Sequence, residues 1–146
     1  MNCCGVFNRG LSCKMRRGNT VVELLLVLPL LISLGIGVGE YSYYIYAKGV
    51  MLDAARTAAR VAVESTATNT AVTSAVDTTM ATAGFQTVGY TVTTNPPSVV
   101  NTATGTDTTV TVSCPWGNFG AHVLPTCLGG IDPAKQINVS ITMIRE

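Results

Sequence analysis

Hydrophobic and polar positions divide the 146-residue chain into stretches with different periods. From Val21 to Val38 the sequence VVELLLVLPLLISLGIGV is apolar almost throughout, interrupted by Glu23 and Pro29. As a helix its 18 residues rise about 27 Å, against about 30 Å for the hydrocarbon core of a bilayer. From Glu40 to Glu64 proline is absent and alanine is frequent. There Ala47, Met51, Ala54, Ala55, Ala58 and Ala62 recur at three- and four-residue spacing, a narrow stripe of small side chains. Asp53–Arg56 and Arg60–Glu64 stand one turn apart on the more polar surface, a spacing that supports a helix. The two stretches predict one helix over 19–64, roughly 65 Å long, that spans a membrane over 21–39 and protrudes from it. Pro29 and the glycines at 35, 37, 39 and 49 fit either a kinked span or a helix shaped for close packing against other helices.

Beyond Glu64 the pattern changes. Val72, Val76, Met80 and Ala83 form a stripe that predicts a short helix over 68–83, with Gly84 as its stop. Alternation of period two then predicts strands. Val88, Tyr90 and Val92 form the first, ended by Asn95-Pro96-Pro97-Ser98. Val110, Val112 and Cys114 form the second, and Ile137, Val139, Ile141 and Met143 the third, over Gln136–Arg145. The expected fold class is α+β, with a small three-stranded antiparallel sheet whose apolar face is covered by the alanine stripe.

Charge and cysteine both split at residue 18. Charged residues are 12% of the chain, low against about 25% for soluble domains, because of the apolar run. Arg9, Lys14, Arg16 and Arg17 precede Gly18 without any acid, leaving five basic and eight acidic residues downstream. A basic end beside an apolar span orients the N-terminus to the cytoplasm, and argues against a nucleic-acid arm. Cys3, Cys4 and Cys13 then stay in a reducing compartment, without a CxxC pair or a histidine partner for metal. Cys114 and Cys127 are exported to an oxidising one, where they can pair.

The strongest chemical constellation is Lys14-Met15-Arg16-Arg17-Gly18-Asn19-Thr20-Val21-Val22-Glu23. A cut after Gly18 removes a basic leader, 1–18, makes Asn19 the new N-terminus and places Glu23 fifth. Glycine presents no side chain to obstruct a protease on an extended backbone. Glu23, a carboxylate near the head of a span, needs a partner. The freed amino group of a neighbouring subunit fits that need, and snorkelling to the headgroups is the plainer alternative.

RRGNTVVELLLVLPLL followed by GVGEYSYYIYAKGVMLDAARTAAR resembles the TadE-like pseudopilins of the tight-adherence pilus system, a branch of the type IV pilus superfamily. The resemblance rests on RRG, VVEL, the LVLPLL core, the pair Glu40-Tyr41 and AARTAAR, and covers about residues 16–62. It is looser over 85–146, in the strand pattern and INVSITMIRE. It implies cleavage between Gly18 and Asn19 by a prepilin peptidase, a role for Glu23 in processing or assembly, and a minor filament or priming part. Implied partners are other pilin or pseudopilin subunits and the inner-membrane assembly platform. Asn19 stands where type IVa pilins commonly carry phenylalanine, and Leu24 where an aromatic is frequent.

Cys114 and Cys127 enclose CPWGNFGAHVLPTC. Trp116 and Phe119 in that loop either seal the edge of a small core or present a contact surface. His122, the single histidine, has no partner at catalytic spacing, and no nucleophile motif, phosphate loop or metal cluster is visible. The sequence therefore reads as a structural, non-enzymatic protein with no cofactor. Its rival is an uncleaved single-pass protein whose 65–146 domain binds a ligand or acts as a scaffold.

Overall fold

The computed structural model describes residues 17–100, 102–120, 126 and 130–145, with side chains from Val21 onward. Two compact units divide it, Met1–Ser33 and Leu34–Glu146. Helix α1, Arg17–Ala62, contributes to both.

Within the first unit, the side chains from Val21 to Ile32 are all exposed. Pro29 lies inside the helix, where it contributes no backbone donor. The Ser33 hydroxyl donates to the Leu30 carbonyl at 2.9 Å. An apolar helix with nothing packed on it is stable only where the surrounding medium is itself apolar.

The second unit has a core. The expected stripe of α1 is buried, Ala47, Met51, Ala54, Ala55, Ala58 and Ala62, together with Ala59. The helix stops at Ala62, so Glu64 has left helical geometry and the expected Arg60–Glu64 pair does not form; Asp53–Arg56 does, at 3.5 Å on the surface. Helix α2 runs Asn69–Thr82 and buries Val72, Val76 and Met80. The Thr68 hydroxyl caps it by accepting from the Ala71 N–H. At the other end Gly84 has φ 82°, and Phe85 N–H reaches back to the Met80 carbonyl at 2.8 Å. Together with Gly84 N–H to Ala81 carbonyl this is a Schellman stop, which requires the left-handed residue that glycine supplies. Threonine disfavours helix, yet the hydroxyls of Thr73, Thr78, Thr79 and Thr82 each donate to a carbonyl about one turn back.

Strands β1 (Thr91–Asn95), β2 (Asp107–Pro115) and β3 (Gln136–Ile144) form the expected antiparallel sheet in the order β1-β2-β3. The register aligns Val92, Val112 and Val139 in one row, and Thr94, Val110 and Ile141 in the next. Cys114 pairs with Ile137, so one face is mostly apolar, with Thr94 and Thr108 also on it. That face, the α1 stripe and the α2 stripe belong to one hydrophobic cluster. The first strand begins three residues later than the alternation of Val88, Tyr90 and Val92 predicts. Gly89 takes φ 69°, which breaks the extended path, and Tyr90 instead donates to Asp77 at 2.6 Å.

Candidate functional site: the exposed helix and its junction with the core

Gly18 and Asn19 lie in α1, so a protease that reads extended backbone would have to unwind helix there, which the sequence reading did not foresee. Glu23 stands on the exposed apolar stretch, one turn further on. The helix that carries it is long and apolar enough to cross a membrane.

The junction with the core lies at Glu40–Tyr46. Glu40 is 6% exposed, and its Oε1 accepts the Ile131 N–H at 3.1 Å. A contact across 91 residues of sequence thus ties the segment before β3 to α1. Tyr43 and Tyr44 lie against Trp116 at centroid distances of 5.9 and 5.2 Å, and Tyr43 and Tyr46 against Phe85 at 6.2 and 5.8 Å. Phe119 completes the cluster, edge-on to Phe85 at 5.1 Å.

Trp116 and Phe119 therefore take the first of their two expected roles. A 3₁₀ turn, Trp116–Phe119, folds back from β2, leaving Trp116 fully buried and Phe119 8% exposed. Neither ring is displayed as a contact surface. Gly117 makes the fold-back possible, since a Cβ there would meet Pro133 at 3.1 Å while its N–H donates to the Pro133 carbonyl. Cys114, at the end of β2, is a buried free thiol, and Cys127 and His122 lie outside the described residues. Burial pushes the Cys114 thiol up, opposed in part by a hydrogen bond with Asn118.

Two residues to which the sequence reading gave no structural role organise the unit. One is Glu40, noted there only in the Glu40-Tyr41 pair of the resemblance. The other is Arg145, 5% exposed, which donates to the Val99 carbonyl at 2.6 Å and the Ser65 carbonyl at 3.0 Å. Arg145 continues the parity of Ile137, Val139, Ile141 and Met143, so the alternation itself directs it inward.

Among the described residues, one apolar helix long enough to cross a membrane runs into a small α+β unit, the arrangement of a membrane-anchored protein with an appended domain. Residues 18–60 match the family model described as TadE-like protein, which bears out the resemblance over that segment. No curated protein and no solved structure matches the chain.

Proposed function

We propose that the protein is a minor pseudopilin that helps to assemble or prime a tight-adherence pilus. Residues 1–18 are its leader, 19–64 its assembly helix and 65–146 its exported domain. It enters the inner membrane with its N-terminus in the cytoplasm, is cut between Gly18 and Asn19 by a prepilin peptidase, and is passed to the assembly platform. The observation that carries this reading is the coincidence of two boundaries. The TadE-like match begins at Gly18, and the apolar run of the sequence begins at Val21.

The leader takes Arg16 and Arg17 with it, so mature Glu23 has no cation nearby in its own sequence other than the new amino group. Pairing with the Asn19 amino group of a neighbouring subunit satisfies both charges, and matters more as the surroundings dry out. Helix-to-helix packing then shields the leucines that each helix alone leaves exposed.

Mass spectrometry of the protein from cells that make the pilus tests the first step. The expected N-terminus is Asn19, and Gly18→Val abolishes maturation. Normal maturation of that variant, or a residue 1 retained in pilus-forming cells, hands the argument to the uncleaved anchor. Glu23→Gln tests the second step. It is expected to insert and be cut as wild type does, and to be lost from crosslinked pilus complexes at matched membrane levels.

A further inference from the structure

The apolar run predicts a membrane span over 21–39, and Glu40 is the next residue. Glu40 is turned inward onto the Ile131 N–H, so it presents no carboxylate to the surface that the apolar residues share. Exposed side chains continue past it along one side of α1, at spacings of four, three and four. Leu34 and Val38 are 63% and 62% exposed, and Tyr41 and Ile45 are 59% and 53%. Tyr46, beside them, is also half exposed. The first exposed charge after Glu23 is Lys48.

We infer that this surface faces lipid, and that the outer interface of the bilayer lies at Tyr41–Lys48 rather than at Val38. The inference rests on the membrane-anchor reading of α1 and goes beyond it. Length supports it, since helix from Glu23 to Lys48 rises about 37 Å. A hydrocarbon core is about 30 Å thick and a bilayer with its polar zones about 40–45 Å. Ending at Val38 gives the run from Val21 about 27 Å, a little short of the core. Ending among the tyrosines puts Glu23 and Lys48 in opposite polar zones.

The chemistry of the turn agrees. Tyrosine is the side chain that membrane interfaces collect, with a ring for the acyl boundary and a hydroxyl for the headgroups. Lys48 is exposed, as is Lys135, whose ammonium stands 5.6 Å from the Tyr44 ring. Both are free to reach lipid phosphate by extending their stems. Asp132, the acid nearest in sequence, is held by the Ala134 N–H at 2.9 Å in its own turn. The Ile131–Lys135 segment, bound to α1 through Glu40, therefore rests among the headgroups and is part of the lipid contact.

Tryptophan substitutions in the full chain, reconstituted in phosphatidylcholine–phosphatidylglycerol vesicles, test the inference. Trp116 is fully buried, and its emission in the parent is subtracted. Leu31→Trp reports the span, Ile45→Trp and Tyr46→Trp the proposed interface, and Arg56→Trp the water beyond. Lipids brominated deep in the acyl chain are expected to quench Leu31→Trp. Lipids brominated near the headgroup are expected to quench Ile45→Trp and Tyr46→Trp, with a blue shift against Arg56→Trp, which only aqueous iodide quenches. Iodide quenching at 45 and 46 without lipid quenching overturns the inference while Leu31→Trp keeps the anchor intact. Shielding of 45 and 46 from both quenchers assigns the surface to another helix, which overturns it too. Loss of lipid quenching at Leu31→Trp removes the anchor itself.

Discussion

The two ends of helix α1 dispose of apolar surface in opposite ways. Between Val21 and Leu34 the residues are large and exposed, whereas between Ala47 and Ala62 they are small and buried. Side-chain size follows from what must approach. A helix facing acyl chains needs only apolar area, which leucine supplies in bulk. A helix facing a sheet must let the strands come close, and alanine fills little of the gap. Met51 is the largest fully buried side chain of α1, and its flexible thioether suits an irregular space. The difference teaches that burial within one polypeptide is a poor measure of hydrophobic importance here. The first region is hidden by its surroundings, the second by its own chain.

The largest separation between the regions is expected from Trp116→Ala. Removing this buried ring is expected to destabilise the α+β unit by about 3–5 kcal/mol, read from denaturation of the full chain in detergent. Leu25→Ala, on the exposed stretch, is expected to leave that transition where it is. Equal shifts from both would break the comparison.

The covalent tie comes next. Peptide mapping of exported protein without reductant is expected to show Cys114 joined to Cys127. The bond would stabilise by about 3 kcal/mol in the chain-entropy account. Two free thiols in fresh material would refute the pairing. Because Cys114 is buried and its thiol is pushed up, a fully folded reduced form is expected to oxidise slowly.

A smaller effect sharpens the size argument. Ala58→Leu overpacks the buried stripe and is expected to lower stability by about 1–3 kcal/mol. Thr57→Leu, on the exposed side of the same turn, is expected to stay within about 0.5 kcal/mol. A tolerated Ala58→Leu would show that the close approach is not needed.

The smallest effect is a pH dependence at the far side of the unit. Burial, then the hydrogen bond to Asp77, then the Asp77 charge push Tyr90 from 10.0 up to about 12. A raised pKa means that the folded state holds the proton more tightly than the unfolded one. Its stabilising contribution is therefore complete below about pH 10 and lost as pH rises through about 12. Tyr90→Phe should flatten the fall in melting temperature across that window, and an unchanged slope would refute the link.

Much of this was legible one residue type at a time. The alanine stripe, the Val72–Met80 stripe and the Gly84 stop are local patterns with one physical solution each, and the structure has all of them. The sheet was legible because alternation over β2 and β3 leaves a single apolar face. The start of β1 was not, because Gly89 accommodates both extended and left-handed backbone and only its surroundings choose. Of the candidate site, the family resemblance was readable, and the match over 18–60 agrees with it.

What the sequence determined by itself is the membrane character of α1, the α+β class and the inward parity of each strand, since these depend on spacing within a few residues. Tertiary structure alone decided the partners. It turned Glu40 onto the Ile131 N–H, Arg145 onto the Val99 and Ser65 carbonyls, and Trp116 inward among Tyr43, Tyr44 and Phe119. Each of those choices joins positions far apart in the chain. A buried polar group must find whichever acceptor or donor the packed fold brings within reach, and no local pattern names it.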